Sequence, residues 1–107
     1  MAREYLVKTE SKMMPAHPGA ILRDDVLPAL GLSVSATARL IGVTRQTLHR
    51  IMAGTTGVTP EMAVRLGKFC GNGPEIWLSM QSAHNLWHAK RRFAVEIARI
   101  PTPRVAA

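Results

Sequence analysis

Four polar side chains near the middle of the chain have the chemistry needed to read DNA bases. Arg45 and Gln46 are adjacent, and His49 and Arg50 follow one helical turn later. An arginine can donate two hydrogen bonds to the O6 and N7 of guanine, and a glutamine can pair with the N7 and N6 of adenine. We expect Arg45 and Gln46 to contact bases first and Arg50 next, with His49 contacting a base or a phosphate. The alternative is an ordinary solvated helix surface.

These side chains reach a DNA groove only if a helix turns them outward. Leu48 and Ile51 are three residues apart and predict the buried side of a helix from Arg45 to Ala53. Thr44 precedes this helix as its N-cap, and Gly54 follows it as a left-handed C′ residue. The spacing therefore predicts a short helix with one apolar and one polar side.

A second short helix, from Val34 to Ile41, precedes it. Ala38 is small enough for another helix to cross closely, Gly42 suits a turn with positive φ, and Val43 follows as an apolar plug. Leu40 and Ile41 are expected to face Leu48 and Ile51. Thr37 departs from the pattern, since its position is usually apolar. The two helices predict a helix-turn-helix motif over residues 33–54, whereas an unrelated helix pair remains the alternative.

Further contacts to DNA are expected around this motif. Serines at a helix N-terminus suit phosphate, because the first N–H groups of the helix are free. Arg39 is either a DNA contact or a solvated surface residue. The candidate DNA-binding residues are Ser33, Ser35, Arg39, Thr44, Arg45, Gln46, Thr47, His49 and Arg50.

The charge distribution agrees with a polyanionic partner. The 107-residue chain has 14 Lys and Arg against 7 Asp and Glu, a formal charge of +7. No acidic residue occurs between Val26 and Pro60, the stretch that contains the motif. Such a segment suits a phosphate backbone, and a solvated basic face explains the charge equally well.

Helix signals recur along the rest of the chain, and strand signals are almost absent. The first helix is predicted from Pro18 to Leu27, with Pro28 ending it; the fourth starts at Thr59–Pro60 and ends near Phe69 or Cys70; the fifth runs from Pro74 to at least Lys90. The predicted fold is an all-α, five-helix, lambda-repressor-like DNA-binding domain with a long C-terminal helix. Residues 1–14 are expected to be a flexible leader, residues 15–92 the domain and residues 93–107 a tail.

The fifth helix carries more apolar surface than one core requires. One stripe contains Ile76, Met80, Ala83 and Trp87, and leucines lie on the far side. Tryptophan is enriched at interfaces, so we expect a homodimer through this helix, although a monomer core would explain the same residues. The candidate interface residues are Trp77, Leu78, Met80, Gln81, His84, Leu86 and Trp87.

Other function classes find little support. There is no phosphate-binding loop, catalytic triad or acid–base pair, so we expect neither an enzyme nor a cofactor. His84 and His88 are one turn apart but lack a third zinc ligand, so no metal site is expected. With one cysteine, Cys70, and no apolar segment long enough for a membrane, we expect a cytoplasmic protein without membrane association.

From Pro15 to about Trp87, the sequence resembles the HigA (VapI) group of antitoxins within the XRE family of helix-turn-helix regulators. The resemblance lies in His17–Pro18–Gly19, in the motif from Ala38 to Ile51, in Gly57–Leu66, and in Pro74–Glu75–Ile76–Trp77–Leu78–Ser79–Met80–Gln81. It implies a homodimer that binds a palindromic operator in double-stranded DNA and represses its own promoter. It also implies a partner toxin, a RelE-like (HigB-type) mRNA endonuclease that the antitoxin neutralises by direct binding.

Two regions of the chain depart from the family pattern, and the region that has no expected role in DNA binding or dimerisation is our candidate toxin surface. Residues 1–14 precede the usual family start, and the segment after Trp87 has no counterpart we can place. We expect residues 3–12 and the first helix to contact the toxin, with Tyr5, Arg23, Asp24 and Asp25 as candidates. The rival interpretations are a solitary XRE-type repressor without a toxin, and a protein-binding antidote whose motif no longer reads DNA.

Overall fold

The computed structural model describes residues 13–104, and within this range it is helical with no strand. Three consecutive helical segments, Pro18–Ile21, Leu22–Val26 and Leu27–Leu30, make up the first helix, α1. The other helices are α2 (Val34–Ile41), α3 (Arg45–Met52), α4 (Pro60–Cys70), α5 (Pro74–Arg92) and α6 (Ala94–Ala98). The all-α fold is confirmed, and the five predicted helices are present. The sixth, short helix lies in the segment that we expected to be a tail.

Pro28 does not end α1, contrary to prediction. A proline inside an α-helix lacks one N–H donor, and its ring clashes with the carbonyl four residues earlier. The segment Leu22–Val26 is a π-helical turn, in which the Leu27 N–H donates to the Leu22 carbonyl five residues back. This wider turn accommodates the proline, and α1 continues to Gly31, where φ is 67°. Leu22 and Leu27, also five apart, are both buried.

The core lies between α1, the α2–α3 pair, α4 and the first half of α5. Trp77 of α5 is 1% exposed, and its indole N–H donates to Asn72 Oδ1 at 3.0 Å. Aliphatic side chains from the other helices surround it. The buried apolar residues are Leu22, Leu27, Ala38, Ile41, Leu48, Ile51, Met52, Val58, Met62, Ala63, Leu66 and Trp77.

The last helix, α6, folds back beside the end of α5 at Phe93. Ala94, Ile97 and Ala98 repeat at helical spacing and, with Leu86 and Phe93, line an apolar groove. No helix within residues 13–104 is long and apolar enough to cross a membrane.

Candidate nucleic-acid interface

The turn between α2 and α3 is built on Gly42 and fastened by Arg65. Gly42 has φ 79°, a left-handed conformation that favours glycine, and its N–H donates to the Ala38 carbonyl at 2.9 Å. Arg65 of α4 donates through Nη1 to the Ile41 carbonyl at 2.8 Å and also bonds Glu61. A cation at these carbonyls complements the negative end of the α2 dipole. The turn is thereby held to the rest of the domain.

The structure turns the predicted base-reading side chains of α3 outward. Leu48 and Ile51 are 0% and 2% exposed and anchor the inner side of the helix. Four polar side chains occupy the opposite side and are exposed: Arg45, Gln46, His49 and Arg50. Arg45 and His49 are four residues apart, as are Gln46 and Arg50, so two rows of potential contacts run along one face.

The inner face of α2 contains one buried polar residue and differs from the prediction at one position. Thr37 is fully buried, and its hydroxyl donates to the Ser33 carbonyl at 2.9 Å. This bond satisfies the polar group and explains why a threonine is tolerated at a usually apolar position. Leu40 was expected to face α3 with Ile41, but it is 64% exposed, whereas Ile41 is buried. The expectation for Leu40 was wrong because the inward stripe of α2 follows Thr37, Ala38 and Ile41.

The remaining DNA-binding candidates lie at the helix starts. Ser33 caps α2 by accepting from the Ala36 N–H at 3.0 Å, and Ser35 is exposed in its first turn. Arg39 is exposed one turn after Ser35, on the same stripe. Thr44 caps α3: its Oγ1 accepts from the Thr47 N–H at 3.0 Å and its hydroxyl donates to Thr47 Oγ1 at 2.8 Å.

The cations on this face are free of carboxylates. Within residues 13–104 the salt bridges join Arg23 to Asp24 and Arg65 to Glu61. Arg39, Arg45 and Arg50 belong to neither pair. Their charge is therefore available to an external anion, and along the sequence the nearest acidic residues, Asp25 and Glu61, lie outside the motif.

Sequence reasoning missed several residues that hold this face in place. Arg65 gave no signal, because the Ile41 carbonyl that it bonds lies 24 positions earlier. Gln81 is 6% exposed, and its Oε1 accepts from the buried Val58 N–H at 2.8 Å, which fixes the loop between α3 and α4. The sequence did offer one signal for Gln81: it is a polar residue one helical turn after Trp77, on the inward stripe of α5.

The structure alters the set of dimer candidates on α5. Trp77 and Gln81 are buried inside the chain, so the expectation that they contact a second molecule was wrong: their stripe closes the core instead. Leu78, Met80, His84 and Trp87 are half-buried and Leu86 is 54% exposed. The large exposed apolar side chains continue beyond them: Phe93, Val95, Ile97 and Ile100.

The toxin-binding candidates lie partly in the described range. Tyr5 is outside it. Arg23, Asp24 and Asp25 are exposed on the π-helical turn of α1, and Arg23 Nε donates to Asp24 Oδ1 at 2.8 Å. This hydrogen bond and charge raise the pKa of Arg23 and lower the pKa of Asp24.

The other chemically interesting side chains form no reactive centre. His84 lies between His17 and His88, with ring centroids 4.9 and 4.6 Å away, but no three His, Cys, Asp or Glu side chains in residues 13–104 are placed to hold a metal ion together. Burial raises the pKa of the Cys70 thiol, which disfavours the reactive thiolate.

Comparison with known proteins places this geometry in a family. A model described as a helix-turn-helix domain matches residues 16–75. Virulence-associated protein I of Dichelobacter nodosus is 38% identical over 79 residues, which cover 73% of each chain.

Two solved structures share the fold and were determined with DNA. The antitoxin GraA in complex with its operator superposes with a TM-score of 0.78 at 37% identity, covering 86% of this chain and 93% of GraA. The Pseudomonas aeruginosa antitoxin HigA with the higBA promoter gives a TM-score of 0.78 at 32% identity, covering 85% and 99%. The match spans the motif, α4 and α5 together, and the chain therefore belongs to the HigA-type antitoxins of the XRE helix-turn-helix family.

Proposed function

We propose that this protein is the antitoxin of a type II toxin–antitoxin system that binds a palindromic operator as a dimer and represses its own promoter. One observation carries the operator proposal: Arg45 and Gln46 are exposed at the start of a helix whose Leu48 and Ile51 are buried. A recognition helix contacts bases mainly through its N-terminal half. The operator and promoter complexes of GraA and HigA support the same role here.

Alanine substitution of Arg45 and Gln46 tests this role. A base-reading side chain contributes about 1–3 kcal/mol, so R45A and Q46A should each weaken operator binding by roughly 5- to 150-fold. Fluorescence anisotropy with the protein's own promoter fragment measures the effect, and K68A, which removes an exposed charge from α4, is the matched control. Operator affinity that is unchanged in R45A and Q46A would refute the assignment.

The dimer, in our proposal, forms through the end of α5 and through α6 rather than through the first half of α5. A groove of about 510 Å³ lies there, lined by Leu86, Ala89, Lys90, Phe93, Ala94, Ile97 and Ala98. Exposed apolar patches of this kind mark interaction sites.

A second copy is the occupant that operator binding requires. Two recognition helices about 34 Å apart read the two halves of a palindrome, and an isologous interface provides that symmetry. I97E places a charge in the groove and should convert a dimer to a monomer in light scattering, with weaker operator binding. V64E alters an equally exposed apolar residue on α4 and should leave the mass unchanged. A dimer that persists in I97E would refute this interface.

The toxin partner is a separate proposal, based on the family. We infer a RelE-like, HigB-type endonuclease that binds residues 3–12 and α1 and is neutralised in the cytoplasm. Asp24 and Asp25 offer exposed carboxylates to a basic toxin. Co-purification with the product of the neighbouring reading frame should fail for D24R/D25R and succeed for E75R, which reverses an exposed acid at the start of α5. Crosslinks confined to α5 would contradict this surface.

A solitary repressor is the remaining candidate, since several relatives are named only as HTH-type transcriptional regulators. One observation distinguishes the antitoxin from the solitary repressor. If the neighbouring frame encodes a product that arrests growth, and this chain relieves the arrest, the antitoxin proposal holds. Growth that is unaffected by every adjacent product would favour the solitary repressor.

A further inference from the structure

The His17–Pro18–Gly19 segment contacts the carboxyl end of the recognition helix α3, although it lies outside the helix-turn-helix motif. Pro18 and Gly19 are buried at the start of α1. His17 caps this helix, because its Nδ1 accepts from the Gly19 N–H at 2.9 Å. The cap fixes where α1 begins, and the following contacts show what α1 is placed against.

Gly19 lies directly against the main chain of α3. A Cβ atom at this position would be 1.8 Å from the Ile51 carbonyl oxygen, far inside van der Waals contact. Backbone therefore packs on backbone at this crossing, and any larger residue would displace one of the helices. The absence of a side chain at Gly19 sets the distance between α1 and α3.

Arg23, one turn further along α1, bonds the last turn of α3. Its Nη1 donates to the Met52 carbonyl at 3.2 Å, while Nε and Nη2 donate to the Asp24 carboxylate. The carbonyls of the last turn of a helix have no partner within it, so a guanidinium there satisfies one of them. Arg23 thus fastens the end of α3 from the surface.

His17 contacts the chain just after α3. A Cβ atom at Gly54 would be 3.9 Å from His17 Cγ, so the imidazole ring lies beside this glycine. His17 and the first turns of α1 therefore contact residues 51, 52 and 54. We call His17, Gly19 and Arg23 the α1 clamp.

We propose that the α1 clamp is a set of positioning residues that fixes the orientation of α3 for reading bases. This inference rests on the proposed operator binding. Leu48 and Ile51 hold α3 along one line, about which a helix can still rock, whereas contacts at its carboxyl end restrict that motion. None of the three residues lies on the base-reading face, so their effect on DNA must pass through α3.

Orientation affects sequence-specific and non-specific binding differently. Hydrogen bonds to base edges need defined distances and angles, whereas attraction to phosphates tolerates small displacements. Loosening the clamp should therefore lower operator affinity while leaving affinity for random DNA almost unchanged. A residue that only stabilises the fold would not change this ratio at a temperature where the protein is fully folded.

The test measures the ratio of operator to random-sequence affinity for H17N and R23M. Asparagine is a good N-cap, so H17N keeps the start of α1 but removes the imidazole ring that lies beside Gly54. Methionine keeps the length of the Arg23 side chain, which is 51% exposed, without its donors. K68M removes the same charge from α4, and N72A removes the acceptor of the Trp77 N–H in the loop between α4 and α5.

We expect the affinity ratio to fall at least about fivefold in H17N and R23M, as for the loss of one base contact, and to stay constant in K68M and N72A. Melting curves should show H17N losing less stability than N72A. A ratio that is unchanged in both clamp variants would overturn the proposal, and so would an equal fall in N72A. A wild-type protein without operator preference would instead overturn the proposed function.

Discussion

Replacing Gln81 with methionine removes the side-chain oxygen that accepts from the Val58 N–H at 2.8 Å, while keeping a side chain of similar length. Val58 is 5% exposed, so water does not readily replace the lost partner. An unsatisfied buried donor costs about 1–3 kcal/mol. In a domain of this size each kcal/mol lowers Tm by roughly 4–8 °C. We therefore expect Q81M to fold and to melt several to about 20 °C lower.

The assay separates a core role for Gln81 from an interface role. Urea unfolding is followed by circular dichroism over a hundredfold range of protein concentration. The difference in unfolding free energy between the wild type and Q81M should not depend on concentration. Amide exchange at Val58 should accelerate. S82M introduces the same side chain on the exposed face of α5 and should remain close to wild type.

Two results would refute this reasoning. An unfolding midpoint for Q81M equal to that of the wild type would show that the loop before α4 does not need the bond. A stability loss that grows on dilution, together with dissociation in light scattering, would place Gln81 at the subunit interface after all.

Two further predictions concern the turn and the start of α1. G42A forces alanine into φ 79° and places its Cβ 2.7 Å from Arg65 Nη1, so unfolding free energy should fall by at least about 1–2 kcal/mol in chemical denaturation, whereas A36G in α2 should cost only about 1 kcal/mol. Burial, and then the neighbouring His84, lower the pKa of His17 below 6.5. As pH falls, the unfolded chain therefore binds a proton at this residue before the folded chain does. The stability contributed by His17 is complete above pH 6.5 and is lost as pH falls through the lowered pKa. H17N should flatten this acid-side slope in urea titrations, and an unchanged slope would contradict the assignment.

The motif was predictable because its determinants are local. Ala38, Gly42, Leu48 and Ile51 lie within 14 positions, and each has a requirement of size, φ or burial that few residue types meet. The outward direction of Arg45 then follows from helical periodicity alone. Site geometry of this kind needs no knowledge of distant contacts.

The errors occurred where distant contacts decide the outcome. From the sequence alone Pro28 predicts the end of a helix, but the π-helical turn before it allows α1 to continue. The stripe containing Trp77 and Gln81 is equally suited to a core or to an interface, and only the position of α4 and of the loop at Val58 assigns it to the core. Leu40 shows the opposite error: it is an apolar residue within the motif that remains exposed.

The shared side chain of Arg23 has a thermodynamic consequence. The guanidinium is divided between the Asp24 carboxylate and the Met52 carbonyl, so a ligand that captures either carboxylate or guanidinium changes the free energy of the α1–α3 junction. Linkage then requires reciprocity: whatever factor an α1 ligand applies to operator affinity, the operator applies to that ligand's affinity. Occupancy of the operator and occupancy of the α1 surface would then be two measures of one linked equilibrium.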